Sequence, residues 1–351
     1  MTIAEFVLSK PVQQLPEGKV SWESPSNIAL VKYWGKYGEQ LPKNPSVSFT
    51  LNNCKTTTTL EYRPITTTEN FSFEVFLEEA KAPSFEPKIK TFFERIEAYL
   101  PFLKQYHFTI KTSNSFPHSS GIASSASGMS ALACCLMSLE KELNPEITSA
   151  YFNKKASFLA RLGSGSAARS IEENLVVWGE HPKVENSSNL YGTPYPYEIH
   201  PVFKTYQDTI LLVDKGEKTV SSTVGHGLMH DHPYAEARFH QAFDNLEKLQ
   251  PIFKSGDLDS FINLVESEAL TLHAMMMSSN PYFILMKPNT LEIIHKIWKY
   301  RNETGSKLCF TLDAGANVHL LYPENEKIKV LDFIKNPVSY THLRAHETDS
   351  Y

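Results

Sequence analysis

Lys32 and Lys36 flank an aromatic pair and a glycine in the run KYWGK. Lys32 closes an apolar stretch, residues 27–33, where an ammonium group must find an anion or reach the surface. The two lysines are either a cationic clamp for phosphate or carboxylate, with Tyr33 as an added hydroxyl donor, or snorkelling side chains at an exposed strand end. Residues 117–128, PHSSGIASSASG, are small and hydroxyl-rich and precede an apolar helix. Unpaired N–H groups and the positive end of the helix dipole make such a junction a ready phosphate site. Read without function, it is a serine-rich capped turn. Residues 160–170, ARLGSGSAARS, alternate glycine with serine before Arg169. That pattern is a second anion site with a guanidinium able to grip a carboxylate through two bonds, or a helix break with a solvated arginine. Asp313 follows the apolar run CFTL and precedes Ala314 and Gly315. It is a turn former or a general base.

These residues need elements to hold them. Alternation predicts strands over residues 46–51, 56–62, 71–77 and 106–111, with a further strand at 174–179. Helical spacing marks 89–103, 124–139 and 148–162. Residues 181–196 are rich in turn formers, and a domain boundary is placed at 195. Beyond it come a strand at 209–213, helices at 234–249, 258–277 and 291–302, and a strand pair, 307–311 and 318–322, around Asp313. Periodicity supports mixed α and β and no more. His226, His230, Asp231 and His232 are read as solvated loop residues, since there is no HExxH and no cysteine partner. Met275 to Met277 beside His273 are read as core filling.

A chain of 351 residues, 41% hydrophobic and 21% charged, can bury one large core or two ordinary ones. Its net charge of −5 and the lack of a basic run give no general attraction to nucleic acid or to an anionic membrane. Cys54, Cys134, Cys135 and Cys309 have no zinc spacing, and a reduced, cytoplasmic protein is expected. No secretory leader is read at the start, and no apolar run is long enough to span a bilayer.

The 117–128 string lacks the Gly-Lys-Ser/Thr of the common P-loop and resembles the phosphate loop of the GHMP kinase superfamily, Pro-x-x-x-Gly-Leu-x-Ser-Ser-Ala. Ala123 before the serine pair is similar to mevalonate diphosphate decarboxylases, as are SPSNIALVKYWGK near the start, GSGSAAR with Arg169, the VSST segment at 220–223, and FTLDAGAN around Asp313. The resemblance spans residues 20–338. It implies the two-domain α+β GHMP kinase fold. An N-terminal ATP- and phosphate-binding domain, 1–195, would resemble the ribosomal protein S5 second domain. A ferredoxin-like domain, 196–338, would follow, with the active site in the cleft between them.

The resemblance implies ATP-dependent decarboxylation of mevalonate 5-diphosphate to isopentenyl diphosphate, CO2, ADP and phosphate. Asp313 would be the base, Lys32 would keep it ionised, and Arg169 would hold the carboxylate. Asn27, Tyr33, Lys36, Ser166 and Ser221 would join Arg169 in binding the substrate. Pro117, Ser119, Ser120, Gly121, Ala123, Ser124 and Ser125 would bind ATP, with Ser125 reaching Mg²⁺ through the phosphates. A homodimer is what the family suggests. The alternatives are a mevalonate monophosphate decarboxylase, a mevalonate 3-kinase, and a catalytically silent nucleotide-binding protein. Residues 339–351, SYTHLRAHETDSY, show neither apolar periodicity nor a strand pattern. They resemble translated adaptor sequence and are read as a non-native tail outside the fold, in place of a further strand that family members carry.

Overall fold

In the computed structural model, which describes residues 3–8, 14–66, 69–116, 124–172, 174–214, 222–335 and 344–349, two long antiparallel strands form the spine. They are β1 (Gly18–Val31) and, after a small hairpin of β2 (Lys36–Tyr37) and β3 (Leu41–Pro42), β4 (Ser46–Pro64). Sequence alternation predicts two strands between residues 46 and 62. The chain makes one, because the interruption is a bulge. Pro25 pairs with Lys55 but its neighbour Ser26 pairs with Leu51, so residues 52–54 have no counterpart. A bulge bends a strand and adds twist without ending it.

The bend lets β4 serve two partners. Its C-terminal half pairs with β7 (Tyr106–Asn114), which follows β5 (Ser72–Leu77), β6 (Ala80–Lys81) and α1 (Glu86–Ile96). Its N-terminal half pairs with β8 (Leu175–Trp178), after α2 (Ser124–Leu143) and α3 (Ser149–Gly163). With β9 (Thr193–Pro194), the path of the first sheet is β6-β5-β7-β4-β8-β9, and β1 lies along β4. The predicted helix 89–103 stops at Ile96. Pro101 then starts a 3₁₀ turn, Pro101–Gln105, as a residue that cannot continue the ladder should. The helices bury Phe92, Phe93, Leu132, Leu136 and Phe158 against Leu60 and Phe108 of the sheet.

After α4 (Pro201–Lys204), the second domain is built on β10 (Gln207–Leu212). Next come α5 (Ser222–Gly227), α6 (Ala235–Ser255), α7 (Leu258–Met277), α8 (Pro288–Thr304), β11 (Cys309–Thr311), β12 (Val318–Tyr322), α9 (Lys327–Lys335) and β13 (Arg344–Asp349). The second sheet runs β11-β12-β10-β13. Helix α7 opens on Asp257, whose carboxylate accepts the Ser260 N–H at 3.1 Å. Ile28, Leu30, Val31, Val47 and Phe49 of the first sheet share one core with Leu246, Phe253, Phe261 and Val265 of α6 and α7. That shared core explains why the second half of β1 is buried at successive positions while its first half alternates.

The tail carries a strand that its side-chain pattern does not announce. Residues 344–349 form β13, which pairs with β10 from Gln207↔Asp349 to Leu212↔Arg344. Strand β10 is buried along its length, with β12 on one edge. Its other edge presents open N–H and C=O groups, and pairing there asks only for extended backbone. A side-chain pattern therefore gives no forewarning of it. No helix among the described residues is long and apolar enough to cross a membrane.

Candidate active site

Lys32 leaves the end of β1, and Asp313 stands two residues past β11. The Lys32 ammonium donates to Oδ1 of Asp313 at 3.2 Å. The turn at Asp313 is closed by main chain, Gly315 N–H to Asp313 C=O at 2.7 Å. The side chain is directed to the lysine. Lys32 is 1% exposed, whereas the Asp313 side chain is 29% exposed. Burial lowers the Lys32 pKa, and the Asp313 carboxylate opposes that shift by charge and hydrogen bond. The snorkelling reading of Lys32 is excluded by its burial.

Arg169 ends the 3₁₀ turn Gly165–Arg169 and is buried. Its Nη1 donates to Ser46 Oγ at 2.6 Å, and its Nε to Ser48 Oγ at 3.0 Å and to Asn27 Oδ1 at 3.3 Å. Burial pulls it down to about 10, with Asp313 and Tyr33 acting in the other direction, so it stays cationic at neutral pH. The side chains it bonds are neutral, leaving its charge to be met by Asp313 or by an anion in the cleft. Asn27 also donates to Ser170 Oγ at 2.7 Å and to the Ser166 carbonyl at 3.3 Å. Asn27 thus ties the arginine turn to β1. The Tyr33 ring packs on Trp178, with centroids 4.7 Å apart, and burial raises its phenol pKa. A Cβ on Gly165 would sit 2.9 Å from the Tyr33 hydroxyl, so only glycine permits that approach. Lys36 is half-buried and donates to Gln40 Oε1 at 3.0 Å.

His226, expected to be solvated, is buried. Its ring lies 4.2 Å from that of Tyr33 and 4.5 Å from that of Trp34, and Nδ1 accepts the Gly35 N–H at 2.9 Å. Gly35 has φ +96°, and a Cβ there would meet the Phe239 ring at 2.9 Å. With Nδ1 accepting, the proton sits on Nε2. His232 is also buried and bonds the Met275 carbonyl, while His230 is exposed. His273 is 1% exposed, and its Nε2 donates to the Asp313 carbonyl at 3.1 Å. Met275 and Met276 are core residues, as expected, whereas Met277 is exposed.

Two buried imidazoles make a stability prediction. Burial lowers His226 to about 3 and His273 to about 4. Between those values and the ordinary value near 6.5 the unfolded chain binds more protons than the folded one, so stability falls as pH falls through that window. From pH 7 to pH 5, the parent protein should lose about 2 kcal/mol more stability than His273→Gln. Urea denaturation at both pH values measures it; equal losses would contradict a neutral His273.

Ser124 and Ser125 open α2, half-buried and exposed respectively. Ser125 Oγ lies 3.5 Å from Ser164 Oγ, which sets the start of α2 beside the arginine turn. Both serines line a cavity of about 250 Å³ with Thr56, Lys88, Asn114 and Gly128. A Cβ on Gly128 would find nothing nearer than Thr56 Cγ2 at 4.0 Å. The helix start, the hydroxyls and the lysine fit a phosphorylated ligand. No group of three His, Cys, Asp or Glu among the described residues could hold a metal. Mg²⁺ at this place would be held by phosphate oxygens and a serine hydroxyl, an oxygen set that suits it. Pro117, Ser119, Ser120, Gly121, Ala123 and Ser221 lie outside the described residues.

The sequence reading missed Glu268, on α7, and Arg238, on α6. Both are buried. Glu268 Oε2 accepts the Lys32 N–H at 2.8 Å, and Arg238 Nη2 donates to the Lys32 carbonyl at 3.1 Å. Arg238 holds Glu268 through two bonds, 3.0 and 2.5 Å, and Asn245 adds a third at 2.6 Å. The one local signal is a glutamate inside the apolar run of α7. Its partners lie 23, 30 and 236 residues away.

Two α+β domains, a helix N-terminus beside a cavity, and a lysine–aspartate pair facing a buried arginine define a phosphoryl-transfer protein of the GHMP kinase fold. The profile described as Diphosphomevalonate decarboxylase-like N-terminal domain matches residues 24–189, and that described as Mevalonate 5-diphosphate decarboxylase C-terminal domain matches 209–349. The chain belongs to the mevalonate diphosphate decarboxylase family. It is 29% identical over 328 residues to a diphosphomevalonate decarboxylase of Ganoderma lucidum, covering 87% of this chain and 78% of that one. The crystal structure of a mevalonate diphosphate decarboxylase from Legionella pneumophila is similar at TM-score 0.79 and 28% identity, over 94% of this chain and 100% of that one. A structure described as MDDEF in complex with MVAPP, AMPPCP and magnesium is similar at TM-score 0.78 and 25% identity, over 95% and 97%.

Proposed function

We propose that this chain catalyses the reaction of mevalonate 5-diphosphate and ATP to isopentenyl diphosphate, CO2, ADP and phosphate. The observation that carries the proposal is the 3.2 Å contact of Lys32 with Asp313, from separate elements, with Arg169 of a third near enough to act on both by charge. Asp313 orients the substrate's 3-hydroxyl and accepts its proton as the oxygen bonds to the γ-phosphorus of ATP and the bond from that phosphorus to the bridging oxygen breaks, releasing ADP. Lys32 keeps that carboxylate ionised and faces the group in transfer. Arg169 holds the C1 carboxylate, fixing the C1–C3 geometry. The C1–C2 bond then breaks, its electrons form the alkene, and phosphate leaves C3. Tyr33, Lys36, Asn27, Ser166 and Ser221 bind the substrate's remaining oxygens. Ser124 and Ser125, with residues 117–123, bind ATP phosphates. Mg²⁺, when bound, neutralises phosphate charge.

Positioning and charge stabilisation are most of what phosphoryl transfer asks of a protein, and these residues offer both. The solved relative that holds MVAPP, AMPPCP and magnesium supports the same ligand set. The proposal includes a domain junction at 195, a homodimer, a cytoplasmic location and no nucleic-acid partner. The net charge of −5 and four buried free cysteines support the last two.

The test is to incubate the chain with ATP, Mg²⁺ and mevalonate diphosphate, or the monophosphate in parallel, and measure ADP and CO2 together. Equal ADP and CO2 with the diphosphate alone is the expected result. ADP without CO2 would make the chain a kinase, and neither product from folded protein would make it a silent binder. Gly128→Leu should raise the KM for ATP at least ~10-fold by placing a side chain in the cavity, with the KM for mevalonate diphosphate within about threefold. An unchanged ATP KM would move the nucleotide elsewhere.

A further inference from the structure

Lys32 and Asp313 come from different domains and meet at a single 3.2 Å contact. Neither side chain alone fixes that distance; the main chains behind them must be held. Both are held from α7. Glu268 accepts the Lys32 N–H at 2.8 Å, and His273 donates to the Asp313 carbonyl at 3.1 Å. These two residues are five apart, about 7.5 Å along the helix axis. A helix does not stretch over one turn, so it can act as a ruler between them. Glu268 is itself fixed, with Arg238 and Asn245 taking the rest of its acceptor capacity. Arg238 and Asn44, which donates to the Lys32 carbonyl at 2.9 Å, complete the hold on Lys32.

We propose that Glu268 and His273 are positioning residues, which through α7 set the separation of Lys32 and Asp313. The inference rests on the proposed function for its kinetic consequence, and on geometry alone for its effect on Lys32. A carboxylate serving only to fill the core would not need to meet the Lys32 N–H. A histidine serving only to fill the core would not need to meet the Asp313 carbonyl. The charged groups facing Lys32 are Asp313, Glu268 and Arg238, with Arg169 further along the cleft and neutral His273 beside Asp313. Replacing Glu268 with glutamine removes one negative charge from this set and leaves Arg238 without its counterion. Both changes disfavour the ammonium form of Lys32.

The experiment uses the full chain and three variants, His273→Phe, His273→Gln and Glu268→Gln. Thermal melts check folding. Steady-state ADP and CO2 formation across pH gives kcat and KM, and ¹³C NMR of labelled lysine follows the titration of Lys32. His273→Phe should lower kcat about 10- to 100-fold, with KM within about threefold, and His273→Gln, whose amide can donate to the same carbonyl, should recover most of the loss. Glu268→Gln should move the alkaline limb of kcat and the Lys32 titration downward together by about one pH unit. Unchanged kcat in folded His273→Phe, with an unmoved Lys32 titration in Glu268→Gln, overturns the proposal. If Glu268→Gln does not fold, the two His273 variants decide it. If the parent forms no ADP or CO2 while the Lys32 titration still moves, the functional reading fails and the positioning role stands.

Discussion

Asp313→Ala should reduce turnover by about 10²–10⁴-fold, the usual worth of a positioned acid–base group. The prediction rests on the contact with Lys32 at 3.2 Å and on the partial exposure of the carboxylate, which leaves it accessible from the cleft. Its turn is closed by main chain, so the substitution need not unravel the loop. What it leaves behind is a buried ammonium group without its closest carboxylate. Lys32 should then titrate lower, as burial already favours. Asp313→Asn, which keeps shape and removes charge, should be nearly as inactive. Single-turnover ADP formation separates chemistry from product release. Turnover of either variant within about threefold of the parent would remove Asp313 from the role of base.

Arg169→Lys should be nearly as damaging, with CO2 formation down about 10²-fold, or some 2–3 kcal/mol of transition-state stabilisation. The substitution keeps the charge, so any loss reports geometry. The guanidinium donates to Ser46, Ser48 and Asn27 at once, and it lies over the Trp178 ring at 5.7 Å. A lysine is a point charge on a flexible stem and cannot reproduce that fork while offering a second edge to a carboxylate. ADP and CO2 should fall together if the carboxylate grip also aligns phosphoryl transfer. A threefold loss or less, in a protein with an unchanged melt, would mean that Arg169 supports the fold alone.

Much of the fold was legible because its elements have strong local periodicity. Helix α7 was read with the bounds the structure gives, and α2, α3, β7 and β12 within a few residues. Strand β4 reads as two because a bulge at residues 52–54 erases alternation without ending the strand. Strand β13 was missed because its place is set by the open edge of β10, a property of another segment. The site divides the same way. Lys32, Arg169 and Asp313 stood in short runs rich enough to recognise. Glu268, Arg238 and His273 act on main-chain atoms far away in sequence, and nothing in their own neighbourhoods reports such a bond. His226 reads as solvated because its flanking histidines and glycines look loop-like; its burial comes from Tyr33 and Trp34 closing over the ring.

The hold on Lys32 bears on how a ligand gets in. Both polar groups of its main chain are bonded to helices of the opposite domain, and the same helices share an apolar core with β1 and β4. Swinging the domains apart at this point would break those bonds and strand the Glu268–Arg238 pair. The back of the cleft is therefore a fixed corner and not a hinge. Any separation of the two domains would cost both main-chain bonds of Lys32 as well as apolar contact.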